Sequence, residues 1–201
     1  MFLSRKLDLD LDQVLENVVK LKAEWIQRSL PGFYTLGRCA YLDLASPSYF
    51  EGSTKLNPIL QEHFGEVYQA VGNYLEELLQ EKVELCDSVA YPSFHIFEAN
   101  EVLVGRGGTW HQDRPHVTLG LGETDYGTFT LPIVLPTSGG GIDYLDGDES
   151  IYFDYTPGEV VVHSGMVYHR IAPLKEAVVG EMRITLQGHV VRHQGQMIMY
   201  W

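Results

Sequence analysis

Pro157-Gly158-Glu159-Val160-Val161-Val162-His163-Ser164-Gly165-Met166-Val167-Tyr168-His169-Arg170-Ile171-Ala172-Pro173 decides how this chain folds. Two short β-prone runs, Glu159–His163 and Met166–Ile171, follow the Pro157-Gly158 turn and are separated by Ser164-Gly165, leaving no room for a helix between them. The same grammar extends in both directions. Upstream come Val83–Tyr91, Phe94–Phe97, Val102–Val104, His116–Leu121, Thr128–Leu135, Ile142–Leu145 and Ile151–Tyr155, and downstream comes Met182–Val191. Turn signals part them, among them Gly107-Gly108, Ser138-Gly139-Gly140-Gly141 and Asp146-Gly147-Asp148. Many short strands with no helices between them predict a β-sandwich, barrel or jelly roll.

The N-terminal part reads differently. Val14, Leu15, Val18, Leu21, Trp25 and Ile26 recur at helical spacing, which predicts an amphipathic helix over residues 12–30, stopped by Pro31-Gly32. A loop is expected over 33–55. Asn57-Pro58 then reads as the cap and first turn of a second helix running to about Gln80. The expected organisation is one mainly β domain, with residues 1–82 as helical support and 83–201 as the β core.

Composition narrows the function. The chain has 201 residues, and 27 acidic against 14 basic residues give a net charge of −13. Such a surface repels phosphate backbones, and no basic cluster offsets it, so a nucleic-acid partner is not expected. The acidity mainly serves solubility, and leans toward neutral or cationic substrates. No run approaches the roughly 18 apolar residues of a membrane span. Cys39 and Cys86 lack metal-type spacing and read as free thiols of a reducing, cytoplasmic setting.

Two polar patterns interrupt the β region. In Trp110-His111-Gln112-Asp113, strand geometry would send His111 and Asp113 to one face. His169 lies 58 positions beyond His111. Two imidazoles and one carboxylate on one side of an octahedron make a ferrous site with open positions. In Arg183-Ile184-Thr185-Leu186-Gln187-Gly188-His189, polar and apolar residues alternate, and Arg183 with Thr185 could grip a carboxylate.

The order His-x-Asp, distal His, then Arg-x-Thr fourteen residues later resembles the Fe(II)/2-oxoglutarate-dependent dioxygenases, over roughly Phe94 to Val191. The resemblance implies a double-stranded β-helix (a cupin-like jelly roll) with His111, Asp113 and His169 as iron ligands. Arg183, helped by Thr185, would bind the distal carboxylate of 2-oxoglutarate. With Fe(II), 2-oxoglutarate and O₂, such enzymes oxidise a small molecule and release succinate. The intact Asp113 favours hydroxylation over halogenation. His163, six residues before His169, is the alternative distal ligand. His95, His116, His189 and His193 read as structural, and Gln187 and Trp110 as pocket candidates. Two other readings stand beside this one: a cupin-type metalloenzyme that does not use 2-oxoglutarate, and a non-catalytic jelly-roll binding module.

Overall fold

A computed structural model describes residues 2–44, 46–122 and 126–201. The chain is mainly β, with its strands in two sheets. The larger sheet runs in the order β1 (Leu3–Lys6), β9 (Glu159–His163), β6 (Gly127–Val134), β11 (Met182–His193), β5 (Ser93–Glu98), β3 (Phe33–Leu36) and β2 (Trp25–Gln27). β12 (Gln196–Tyr200) folds back on the end of β11, and β4 (Val83–Leu85) pairs with it in parallel. The smaller sheet is β10 (His169–Ile171), β7 (Ile142–Asp146) and β8 (Glu149–Phe153), all antiparallel. His111 adds an antiparallel bridge to His169 on the edge of β10 that faces away from β7.

The deciding stretch therefore crosses between sheets. β9 belongs to the larger one and β10 to the smaller, and residues 164–168 carry the chain across.

The larger sheet has two unlike faces, because alternate strand residues point to opposite sides. Phe94 and Ile96, Phe129 and Leu131, Val160 and Val162, and Ile184 and Leu186 join one apolar core. The helices α1 (Leu11–Lys20) and α3 (Pro47–Leu79) cover that face, contributing Val14, Val18, Leu60, Phe64, Val67, Val71 and Leu75. Residues of the other phase, His95, Thr128, Thr130, Arg183, Gln187 and His189, line a cavity. One strand thus serves core and cavity at once.

Several expected elements differ. The first helix ends at Lys20, and Trp25–Gln27 instead forms an edge strand paired with Tyr34–Leu36, within the segment expected to be loop. That segment also holds α2 (Ala40–Asp43). Asn57-Pro58 does not start a helix: α3 begins at Pro47, and the Asn57 side chain instead donates to the Val89 carbonyl (2.8 Å) and accepts from the Tyr91 N–H (3.1 Å). Val102–Val104 lies in α4 (Glu101–Gly105), where the Asn100 carboxamide caps the N–H groups of Val102 and Leu103. His116–Leu121 corresponds to α5 (Pro115–Leu119), opened by Pro115 and closed by a left-handed Gly120. β1 and β12 went unforeseen, their polar or short runs carrying no clear alternation.

Candidate active site

The bridge between His111 and His169 is reciprocal. Each backbone N–H donates to the other residue's carbonyl at 3.0 Å, which holds the two side chains next to each other, with ring centroids 4.5 Å apart. His111 reaches this position through a close approach of backbones. Gly108 donates to the Ile171 carbonyl at 2.8 Å, and a Cβ on Gly108 would meet the Ile171 nitrogen at 2.8 Å. Two residues on, the Asp113 N–H donates to Gly165 O at 2.8 Å, anchoring the carboxylate side chain to the crossover. The segment is thus a bridged loop, yet His111 and Asp113 still converge as the i, i+2 reading expected.

Asp113 faces both imidazoles, with Oδ1 3.5 Å from His111 Nε2 and Oδ2 3.4 Å from His169 Nε2. The Nδ1 atoms face main-chain carbonyls: His111 Nδ1 lies 2.7 Å from Thr109 O, and His169 Nδ1 lies 2.9 Å from Val167 O. A carbonyl only accepts, so each Nδ1 carries the proton, and each neutral ring turns the Nε2 lone pair toward a carboxylate. Two lone pairs and an anion in contact demand a cation between them. Without a metal, a proton meets part of that demand. Burial disfavours a charged His169, but contact with Asp113 outweighs it and raises the ring's pKa. Burial likewise opposes ionisation of Asp113, yet His169, His189 and His111 together hold its carboxyl far below the usual range.

Among the described residues, His111, Asp113 and His169 form the one group of three potential ligands, their donor atoms lying within 4.8 Å of one another. His163 is outside it. Its ring packs against His169 (4.8 Å, edge to face) and against Phe2, with Nδ1 on Ser164 O, and burial lowers its pKa to about 4.

Arg183 lines the same cavity, of about 530 Å³. The side chain is fully buried. Its Nε donates to Gly140 O at 2.8 Å and its Nη1 to Thr185 Oγ1 at 3.2 Å. Gly140 has φ +110°, a conformation that suits glycine and presents its carbonyl to the guanidinium. Nη2 has no partner, and no acidic side chain pairs with Arg183 among the described residues. Burial therefore lowers the guanidinium pKa, offset only by the Tyr155, Tyr152 and Tyr41 hydroxyls. A buried cation with an unsatisfied donor is costly unless a ligand completes it. Thr185 is fully buried and accepts from Arg183 and from Gln187, so it steadies the guanidinium.

His189 and His95 also face the cavity, although their sequence context pointed to structural roles. His189 is buried beside Thr128 Oγ1 (3.2 Å), and burial lowers its pKa to about 4. The Tyr41 hydroxyl contacts His95 Nε2 at 2.7 Å. Thr128 and Thr130 were legible in principle, since they alternate with Phe129 and Leu131 as Arg183 does with Ile184. Gln187 lines the cavity as expected, whereas Trp110 does not: its ring stacks under the Arg170 guanidinium at 4.7 Å. A larger open groove of about 850 Å³ between α1, α3 and β4 holds His63 and several acids, but no three of them come together as ligands.

The fold that carries this cavity is shared with solved proteins. An N-substituted L-amino acid dioxygenase from Burkholderia ambifaria superposes with a TM-score of 0.60 at 11% identity, covering 100% of this chain and 86% of that one. The chain shares that fold. A prolyl hydroxylase from Trichoplax adhaerens, in complex with a hypoxia inducible factor peptide, gives 0.55 at 12% identity, covering 92% and 81%. The non-heme alpha ketoglutarate dependent epimerase SnoN of nogalamycin biosynthesis gives 0.54 at 12% identity, covering 96% and 81%. No sequence-family model and no curated protein sequence matches. Among the described residues, no helix is long and apolar enough to cross a membrane.

Proposed function

We propose that this chain is an Fe(II)/2-oxoglutarate-dependent oxygenase that hydroxylates a small molecule, acting as one domain in a reducing cytoplasm. The observation that carries the reading is Arg183: a buried guanidinium with no acid and one unpartnered nitrogen, sharing a cavity with a His-Asp-His cluster. Evolution keeps such a cation buried when an anion arrives to meet it. The fold of known oxygenases of this chemistry supports the same reading. So does the strand order: with β8, β7, β10 and the His111 bridge opposite β9, β6, β11 and β5, we read the sheets as the two halves of a double-stranded β-helix.

The residues present fit the implied group. His111, Asp113 and His169 would hold the metal, with two neutral nitrogen donors and one oxygen donor suited to ferrous iron. Thr109 O and Val167 O fix which ring nitrogens face it, so binding needs no tautomer change. Arg183 would receive the distal carboxylate of 2-oxoglutarate, and Thr185 keeps its Nη1 in place. When bound, Fe(II) with 2-oxoglutarate and O₂ supplies the oxidation, one oxygen atom going to substrate and the other to succinate, with CO₂ released. The protein's part is to place these reactants and keep water out, with buried Ile142 and Tyr155 among the walls of the cavity.

Anaerobic titration of Fe(II)-loaded protein with 2-oxoglutarate tests this. The expected result is a weak visible metal-to-ligand charge-transfer band that saturates with the co-substrate. Ferrous binding with no such band would leave a metalloenzyme that does not use 2-oxoglutarate, and no ferrous binding would leave a binding module.

A further inference from the structure

The arginines of this chain divide sharply by their partners. Arg5, Arg28, Arg38, Arg170 and Arg192 each pair with an acid, and Arg106 leans on Thr109. The two that remain, Arg114 and Arg183, both line the cavity. Arg183 is fully buried, whereas Arg114 is exposed at the mouth, next in sequence to Asp113, and its guanidinium makes no hydrogen bond or ion pair among the described residues.

The lining contradicts the chain's overall charge. The whole sequence carries 27 acidic and 14 basic residues, yet among the described residues, and apart from its histidines, the cavity has Asp113 as its acid against Arg114 and Arg183. Asp113 is committed to two imidazoles and the cation they require. What remains is a positive field, which attracts anions and repels amines. The leaning toward cationic substrates drawn from net charge is reversed inside the cavity. The same lining holds an apolar wall, where Phe33 and Phe97 stack at 4.1 Å and 3° beside Leu42, Leu103 and Ile171.

We propose that the substrate is a small organic acid with an aromatic or apolar body, its carboxylate held at the mouth by Arg114 and its body lying along the Phe33–Phe97 wall. This rests on the oxygenase reading, in which Arg183 is already taken by the co-substrate. A flat body suits two stacked rings, and a guanidinium suits a carboxylate better than any neutral head group.

Three probes with one body test it: phenylacetate, phenylacetamide and phenethylamine, titrated anaerobically into protein loaded with Fe(II) and saturating 2-oxoglutarate. Binding is read as a perturbation of the charge-transfer band and as a thermal shift. Phenylacetate should bind about tenfold more tightly than the amide, or about 1.4 kcal/mol, with no detectable binding of the amine. Arg114→Gln should bring the acid down to the level of the amide, and Arg114→Lys should recover part of the difference. Because Arg114 is exposed, a retained band in each variant shows that the site is still assembled. The proposal is overturned if the amide or amine binds as well as the acid, if none of the three binds, or if Arg114→Gln leaves the acid unaffected. A band that forms without any preference for the acid removes only the substrate assignment, whereas a band that never forms removes the oxygenase reading as well.

Discussion

Replacing Arg183 by methionine separates a structural arginine from a ligand-binding one. The guanidinium is fully buried, makes two hydrogen bonds, to Gly140 O and Thr185 Oγ1, and leaves one nitrogen unpartnered, with no acid paired to it among the described residues. Hydrogen bonds from a charged donor each contribute about 1.5–3 kcal/mol, while desolvating an unpaired charge costs several kcal/mol, so the two nearly cancel. Arg183→Met, which keeps an unbranched apolar stem and removes the charge, should therefore leave the ligand-free protein within about 2 kcal/mol of the parent. Ligand binding should respond very differently. Losing a charge pair in a shielded pocket costs about 2–5 kcal/mol of affinity. In an anaerobic melt with Fe(II), 2-oxoglutarate at a hundred times its Kd stabilises the parent by about 2.7 kcal/mol. For a chain of this size that is a rise of about 5–11 °C in Tm. The variant should keep at most about a third of that rise at the same concentration. A variant that melts far below the parent without ligand, yet keeps the full ligand-induced rise, would show that Arg183 braces the fold and has no part in binding.

The other predictions concern the cluster and its supports. His111→Ala and Asp113→Ala should each abolish stoichiometric ferrous binding, measured anaerobically, while the circular dichroism stays close to that of the parent; two variants that both retain iron would remove the ligand assignment. Gly108→Ala forces a Cβ to within 2.8 Å of the Ile171 backbone, which should separate His111 from His169 and lower both Tm and metal affinity, whereas Gly105→Ala, with nothing near its Cβ, should not. Buried neutral, with a pKa of about 4, His189 binds fewer protons folded than unfolded between pH 4 and 6.5, so its contribution to stability is complete above about pH 6.5 and lost as the pH falls. That loss amounts to about 3 kcal/mol by pH 4, and His189→Phe should flatten this limb of a denaturation profile; an unchanged profile would mean that the ring is already charged or solvated.

Legibility in the sequence followed local chemistry. Arg183 and Gln187 stood out because they alternate with Ile184 and Leu186 on a strand whose other face is core, and the same alternation is visible at Thr128–Leu131 once the cavity is known. The cluster was legible as residue types in order, although the segment carrying His111 and Asp113 is a bridged loop and not a strand. Other elements were hidden because their determinants are tertiary. Asn57 looks like a cap until its side chain is seen holding Val89 and Tyr91, and Trp25–Gln27 looks helical until β3 offers it an edge. His189 reads as structural from its sequence, but the cavity runs beside β11 and brings it within the electrostatic reach of Asp113. Arg114 carried no signal at all, because its meaning lies in having no acid paired with it among the described residues.

The stretch from Gly107 to Arg114 packs against β10, supplies His111 and Asp113, and also forms one lip of the cavity. A substitution that shifts the backbone of this lip also moves the cluster, so selection cannot tune it freely. Leu30, Pro31 and Leu42 line another part of the cavity, and among the described residues none of them bonds to a ligand residue. Descendants of this chain that adopt new substrates should have changed there first, and directed evolution would do well to begin on that side.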